Sequence, residues 1–276
     1  MDESSVSPDE PSVSIVIPCY NYGRFLAEAI TSALEQSHVP LEVIVIDDGS
    51  TDSSSQIALQ FVPAVKLLTQ ANEGVLAVVN RGLREAKGEY VTFLSADDAF
   101  RPTYVEALLA ALLRHPGASY AYSAMEYFGA REGVFRAHPF SPAVLLARNF
   151  VNGSALMRRS DALAVGGFNP RFEAIGWEDW DFWLRMLESG RWGVAVPDAL
   201  LRYRQHVTKS RNPGSRNVRR RLRVFGAHPA LYGRRPRVLR ETLLFLGLLG
   251  SLINCRRCLK LLDRAWGFST QGGADP

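Results

Sequence analysis

Four short apolar runs, each followed by a polar cluster and most by a stretch of helical periodicity, constrain this chain more than any other feature. They are "VSIVI" (13–17), "LEVIVI" (41–46), "VKLLT" (65–69) and "EYVTFL" (89–94). Between them, "RFLAEAITSALEQS" (24–37) sets Phe25, Leu26, Ala29, Ile30, Ala33 and Leu34 on one helical face. "SSSQIALQF" (53–61) follows Ser50, Thr51 and Asp52, any of which can cap it. "NEGVLAVVNRGLREAKG" (72–88) reads as a helix closed by Gly88. Pro102 suits the first turn of "PTYVEALLAALLRH" (102–115). Strands alternating with helices at this spacing predict an α/β fold with a doubly wound, mostly parallel sheet. Ligands of such sheets bind beyond the carboxyl ends of the strands. "PCYNYG" (18–23), "DDGSTD" (47–52) and "SADD" (95–98) all follow strands and collect at that edge.

Beyond Tyr120 the alternation weakens. Strands are expected at "YAYSAM" (120–125) and "SALMRR" (154–159), then a Gly-Gly-Phe turn at 166–168. "GWEDWDFWLRMLESG" (176–190) predicts a helix with acidic residues at its start and Trp180, Trp183, Leu184 and Leu187 along an apolar stripe. "WGVAVP" (192–197) and "LLRYRQH" (200–206) read as two further strands. The chain shows no internal repeat.

Charge divides the chain. Residues 1–201 carry 15 Lys/Arg against 25 Asp/Glu, and residues 202–276 carry 17 against 3. Such asymmetry predicts two functional parts, the second facing something anionic. The parts are a domain over 11–212, with a nucleotide-binding half (11–100) and an acceptor half (101–212), and a basic amphipathic helical extension over 213–276. "RRRLRVF" (219–225) and the eleven-residue apolar run Leu243–Ile253 suit a helix lying in an anionic membrane interface, or one packed on protein. That run is too short to span a bilayer. The acidic lead-in "MDESSVSPDEPS" resembles no signal or transit peptide, so residues 1–10 are expected to be disordered and the protein cytoplasmic, at most peripheral on the inner membrane face. Cys19, Cys255 and Cys258 make no disulfide framework. A nucleic-acid partner is not expected, because the basic tail carries no reading motif.

The polar clusters suggest particular chemistry. Tyr20 can stack on a base, and Asp48 can accept the imide N–H of uracil, which cytosine does not offer. Either side of Gly49, "DDGS" would also serve as a plain turn and helix cap. Asp97 and Asp98, at a rigid strand end, suit Mn²⁺ or Mg²⁺ held jointly with a nucleotide diphosphate. Neither a P-loop nor a G-x-G-x-x-G is present, so phosphates would need that cation and basic groups from "RYRQH" (202–206), His206 among them. Glu178 and Asp179 favour a helix start through its dipole. Trp177 and Trp180 flank Asp179 and can raise its pKa toward that of a useful base.

In order, "VSIVIPCYNYGRFLAEAITSALEQS", "EVIVIDDGSTDSS", "NEGVLAVVNRGLREAKGEYVTFLSADD", "GSALMRRSDALAVGGFNPRF" and "GWEDWDFWLRM" resemble the family 2 glycosyltransferases of GT-A fold over roughly residues 11–210. The resemblance implies inverting transfer of one sugar from a nucleotide sugar, UDP-linked by preference, to a glycan or lipid-linked hydroxyl acceptor in cell-surface glycan or glycolipid assembly. It implies Pro18, Tyr20, Asn21, Asp48, Ser50, Asp97 and His206 as nucleotide contacts, Asp97 and Asp98 as the metal motif, and Asp179 as the acceptor-activating base. Two positions depart from the family pattern: Ser95 replaces the first Asp of Asp-x-Asp, and Val79 replaces an Arg before Asn80. The Q-x-x-R-W motif and membrane helices of processive synthases are absent, which favours single addition. A nucleotide-sugar-binding module without turnover, or a nucleotidyltransferase, are the alternatives.

Overall fold

In the computed structural model, which describes residues 11–172, 177–207 and 218–232, the four leading apolar runs become parallel neighbours. Strand β1 (Val13–Cys19) leads through α1 (Gly23–Leu34) to β2 (Glu42–Asp47), α2 (Ser54–Leu59) and β3 (Lys66–Thr69). Helix α3 (Val75–Glu85) then returns the chain to β4 (Tyr90–Phe93) on the other side of β1. After β5 (Ala99–Phe100) and α4 (Tyr104–Arg114) come β6 (Tyr120–Gly129), β7 (Gly133–Phe135), α5 (Pro142–Ala147) and β8 (Leu156–Arg158). Helices α6 (Arg159–Ala164) and α7 (Glu178–Glu188) precede β9 (Gly193–Gln205), and α8 (Val218–Ala227) and α9 (Pro229–Tyr232) follow it.

The sheet runs β3-β2-β1-β4-β8-β6-β9-β5, with β7 paired on β6. Its first four strands are parallel, while β8 is antiparallel to both β4 and β6, so the second half is mixed. Side-chain alternation decides which helix lies where. In β1, Val13, Ile15 and Ile17 join a core with α1 and α4, whereas Val16 joins the opposite core with α3, α5 and α7. Leu26 and Ile30 of α1 are wholly buried there. Each such side chain stabilises by roughly 1.5–3 kcal/mol. On the other face α3 lies so close to β1 that a Cβ at Gly82 would collide with Val16 Cγ1.

Three expectations need correction. Gly88 is not a helix cap: α3 ends at Glu85, with Ala86 extended at φ −61° and ψ 139°. Gly88 is needed instead where the chain brushes β1, since a Cβ would stand 2.6 Å from Ser14 N. Pro18 is not in the turn but within β1, paired with Ile46. The two strands expected at 192–206 are one, β9, parallel to β6. Pro197 and Asp198 sit at a register shift between Val196 and Ala199, where a residue without an N–H breaks no ladder bond. This single strand carries the chain from the core to the carboxyl edge.

Candidate active site

Beyond β1 and β2, backbone geometry comes first. Asn21 adopts φ 57°, a left-handed conformation that Asn tolerates, and its Oδ1 accepts from Thr51 N at 2.8 Å. Its own N–H donates to Ser50 Oγ at 3.0 Å, so Asn21 and Ser50 brace each other across the two loops. Asp47, which carries the plain turn-and-cap role, accepts from Ser50 N at 3.0 Å and from Ser55 Oγ. Asp48 is buried, and its carboxylate accepts from Gln70 Nε2 at 2.8 Å and from Glu73 N and Gly74 N at 3.0 Å each. Of roughly four acceptor directions on a carboxylate, one is left for a ligand. Tyr20 is 44% exposed, with its ring open to the same edge.

Position 79 gives up its polar role here: Val79 is buried in the α3 core. A different arginine reaches the loop, as Arg81 Nη1 donates to Gln70 Oε1 at 3.0 Å and Gln70 passes the contact on to Asp48.

At the end of β4, Asp98 N donates to Ser95 O at 3.0 Å, closing the turn that points Asp97 outward. Asp97 Oδ2 lies 2.7 Å from His206 Nε2. Arg204 ties the same turn to β9: its Nε donates to Asp97 O at 2.7 Å and its backbone N to Asp98 Oδ1 at 2.8 Å. The guanidinium also pairs with Glu28 and lies 4.3 Å from the Phe25 ring centroid. Asp98 is buried behind Asp97, and burial, then the Asp97 charge, push its carboxyl well above the usual range. A cavity of about 490 Å³, lined by Arg24, Phe25, Arg204 and His206 among others, adjoins the pair.

Among the described residues no three His, Cys, Asp or Glu side chains converge as a metal cage. The donors at this turn are the two carboxylates and the adjacent imidazole. Such an oxygen-rich, incomplete set fits Mg²⁺ or Mn²⁺ only in company with phosphate and water oxygens.

Asp179 stands in the first turn of α7, after Trp177. Its Oδ1 accepts from Trp180 N at 2.7 Å, and its Oδ2 from Asn149 Nδ2 at 2.8 Å. Trp177 and Trp180 meet edge to face with centroids 5.4 Å apart. Burial, then the neighbouring Glu178 charge, push the Asp179 carboxyl up to about 7. Asp181 points the other way: it is buried, with Oδ2 2.8 Å from Arg185 Nε and Oδ1 3.1 Å from His228 Nε2.

The two carboxylate groups act electrostatically on a common neighbour, Tyr203 of β9. Burial raises its phenol to about 12, with the charges of Asp98, Asp97 and Asp179 adding to the effect. Sequence reasoning missed Tyr203, Asn149 and Gln70, and reached Arg204 only as one of the basic groups of 202–206. The "RYRQH" segment signalled Arg204, which alternates with His206 along that segment, whereas Tyr203 has the opposite parity and is not marked by it. Nothing in the local pattern marks Asn149 or Gln70.

The family model described as Glycosyl transferase family 2 matches residues 14–175. EpsE of Bacillus subtilis (strain 168), assigned by its name to the glycosyltransferases, is 31% identical over 204 residues, covering 71% of this chain and 73% of EpsE. YibD of Escherichia coli (strain K12), an uncharacterized glycosyltransferase, is 43% identical over 100 residues, covering 35% of this chain and 29% of YibD. The crystal structure of S. aureus TarS 1–349 superposes with TM-score 0.60 at 21% identity, covering 70% of this chain and 60% of that one. The same protein in complex with UDP-GlcNAc gives TM-score 0.65 at 20% identity, covering 79% and 66%. This chain therefore spans most of EpsE, under a third of YibD and up to about two thirds of TarS 1–349.

Proposed function

This chain belongs to glycosyl transferase family 2, and from that premise we propose that it moves a single sugar from a UDP-linked donor to an acceptor hydroxyl with inversion. The observation that carries the proposal is Asp179: a carboxyl raised to about 7, oriented by Asn149, its charge acting on Tyr203 together with those of Asp97 and Asp98. A group with that pKa is half ionised near neutrality and can take a proton from a hydroxyl. Such a group favours turnover over a binding module without it.

The acceptor oxygen forms its bond to the anomeric carbon as the bond to the diphosphate oxygen breaks on the opposite face. Asp179 receives the hydroxyl proton, and the electron pair leaves with the diphosphate. Tyr20 and Asp48 serve the base, with Asn21 and Ser50 shaping that loop and Pro18 standing in β1 just before it. Arg204 holds the Asp97 turn rigid, so no reorganisation is needed as charge develops. Asp97 and Asp98, with His206 beside Asp97, are the residues that would hold Mn²⁺ or Mg²⁺, whose chemistry is neutralisation of the diphosphate. The solved TarS–UDP-GlcNAc complex supports a UDP-sugar donor through likeness of fold.

We assign the basic extension to attachment at an anionic membrane surface, where a lipid-linked acceptor in cell-surface glycan assembly would be met. Most of it, including Leu243–Ile253, lies outside the described residues. Among the described residues no helix is long and apolar enough to cross a membrane. Thermal unfolding against UDP-, dTDP- and GDP-sugars, with Mn²⁺ or with chelator, tests the donor reading, because a bound donor stabilises by mass action. Preferential protection by a UDP-sugar with Mn²⁺ is expected. Equal UDP binding in chelator and in excess Mn²⁺ defeats the cation assignment, and preference for GDP defeats the base assignment.

A further inference from the structure

Helix α5 ends two residues before Asn149, the side chain that orients Asp179. The last four carbonyls of any helix lack intrahelical donors. Here each finds a partner. Val144 O accepts from Arg148 N at 2.8 Å, and Leu145 O from Trp180 Nε1 at 2.7 Å. Leu146 O accepts from Tyr232 Oη, and Ala147 O from Arg221 Nη1, both at 2.8 Å. The last two donors come from α9 and α8, which lie beyond the segment matched by the family model.

The same two helices grip α7 from behind. His228 is buried between them, with Nε2 3.1 Å from Asp181 Oδ1 and Nδ1 3.2 Å from Glu188 Oε1. Phe225 lies 6.4 Å from the Trp180 ring and 4.5 Å from the Tyr232 ring. One unit therefore holds both elements whose meeting defines the Asn149–Asp179 hydrogen bond.

We propose that α8 and α9 are a positioning clamp for the catalytic carboxylate, in which Arg221 and Tyr232 fix the end of α5 that presents Asn149 while His228 fixes α7 through Asp181. The clamp rests on the reading of Asp179 as the base. None of its residues touches substrate; each acts through Asn149 or Asp181.

The test uses the full chain and three variants: Tyr232→Phe, which keeps the ring and removes one hydrogen bond, Arg221→Ala, and Asp179→Asn. Turnover is read as UDP release from UDP-GlcNAc, and UDP affinity by titration. Tryptophan fluorescence against pH reports the ionisation of Asp179, whose titratable neighbours are Glu178 and Tyr203. The clamp predicts a fall in kcat on the order of 10–100-fold for Arg221→Ala, with less for Tyr232→Phe. KM and UDP affinity stay within twofold. The fluorescence midpoint shifts in both variants, and it is absent in Asp179→Asn. Combining Arg221→Ala with Asp179→Asn adds no further loss.

Wild-type kcat and midpoint in folded Arg221→Ala and Tyr232→Phe, with Asp179→Asn inactive, overturn the clamp alone. A parallel loss of kcat and UDP affinity also overturns it, since that is general loosening. Near-wild-type turnover by Asp179→Asn instead removes the base reading, a separate outcome. Should release from UDP-GlcNAc be too slow to measure, the fluorescence midpoints decide.

Discussion

Asp179 combines two properties that pull against each other. Its carboxylate is useful because protein crowds it, and for that reason the ionised form is costly to the fold. Its pKa rises to about 7 from an ordinary carboxylate value of 3.8. Between those values the folded chain holds a proton that the unfolded chain has released, so stability falls as pH rises through this window. Asp179→Asn should therefore be more stable than wild type at pH 8, by about 1–2 kcal/mol after discounting for partial exposure, and so melt at a higher temperature. The difference should vanish toward pH 4; equal melting points at pH 8 sink the idea. The same variant should lose on the order of 10²–10⁴-fold in turnover with donor affinity kept. Wild-type rates should fall below pH of about 7 as the carboxyl protonates. Glu178→Gln removes the second cause of the shift, so the acid limb of its rate profile should move to lower pH. An unmoved limb would show that burial alone sets the value.

Strand β9 does what no single residue could. It extends parallel to β6 as far as Gln205 and so delivers Arg204 and His206 to the Asp97 turn and Tyr203 to where the charges of Asp97, Asp98 and Asp179 all act on it. Arg204→Ala should cost roughly 1–3 kcal/mol, because Asp97 O loses its guanidinium donor and buried Asp98 a neighbouring positive charge, though the backbone N–H to Asp98 remains. It should also weaken UDP binding in Mn²⁺ more than in chelator, as the turn loosens. Equal weakening in both would detach Arg204 from the cation site. Helix α3 offers a control remote from the chemistry. Gly82→Ala, driven into Val16, should destabilise by about 1–3 kcal/mol without changing the pH profile, measured by denaturant unfolding and by rate.

For the molecule as a whole, the charge boundary near residue 202 is not a structural boundary. Arg221, inside the basic "RRRLRVF" cluster, turns inward to Ala147 O and lies 6.0 Å from the Trp180 ring, which withdraws it from any membrane. The surface role then falls to basic residues further along, each contributing roughly 1 kcal/mol near an anionic bilayer. Truncation after Tyr232 should abolish co-sedimentation with anionic vesicles yet preserve turnover on a soluble acceptor. Truncation after Asn212 should lose both. Undiminished vesicle binding by the first protein would refute attachment through residues 233–276.

The apolar runs and their spacing determined the parallel half-sheet and the edge where polar clusters gather. Continuous short apolar runs, buried on both faces, and helical periodicity are local properties, readable from neighbours in the chain. The same logic singled out Asp48, Asp97, Asp98 and Asp179 as candidates, because carboxylates at strand and helix ends stand out against apolar runs. Other matters were decided only by the folded chain. Gly88 looked like a cap but answers to Ser14, which is 74 positions away; Asn149 reaches Asp179 across 30 residues, and Tyr232 reaches Leu146 across 86. These pairings follow from which elements pack together. No local propensity encodes such a meeting, since its energy exists only once both partners are desolvated in one core.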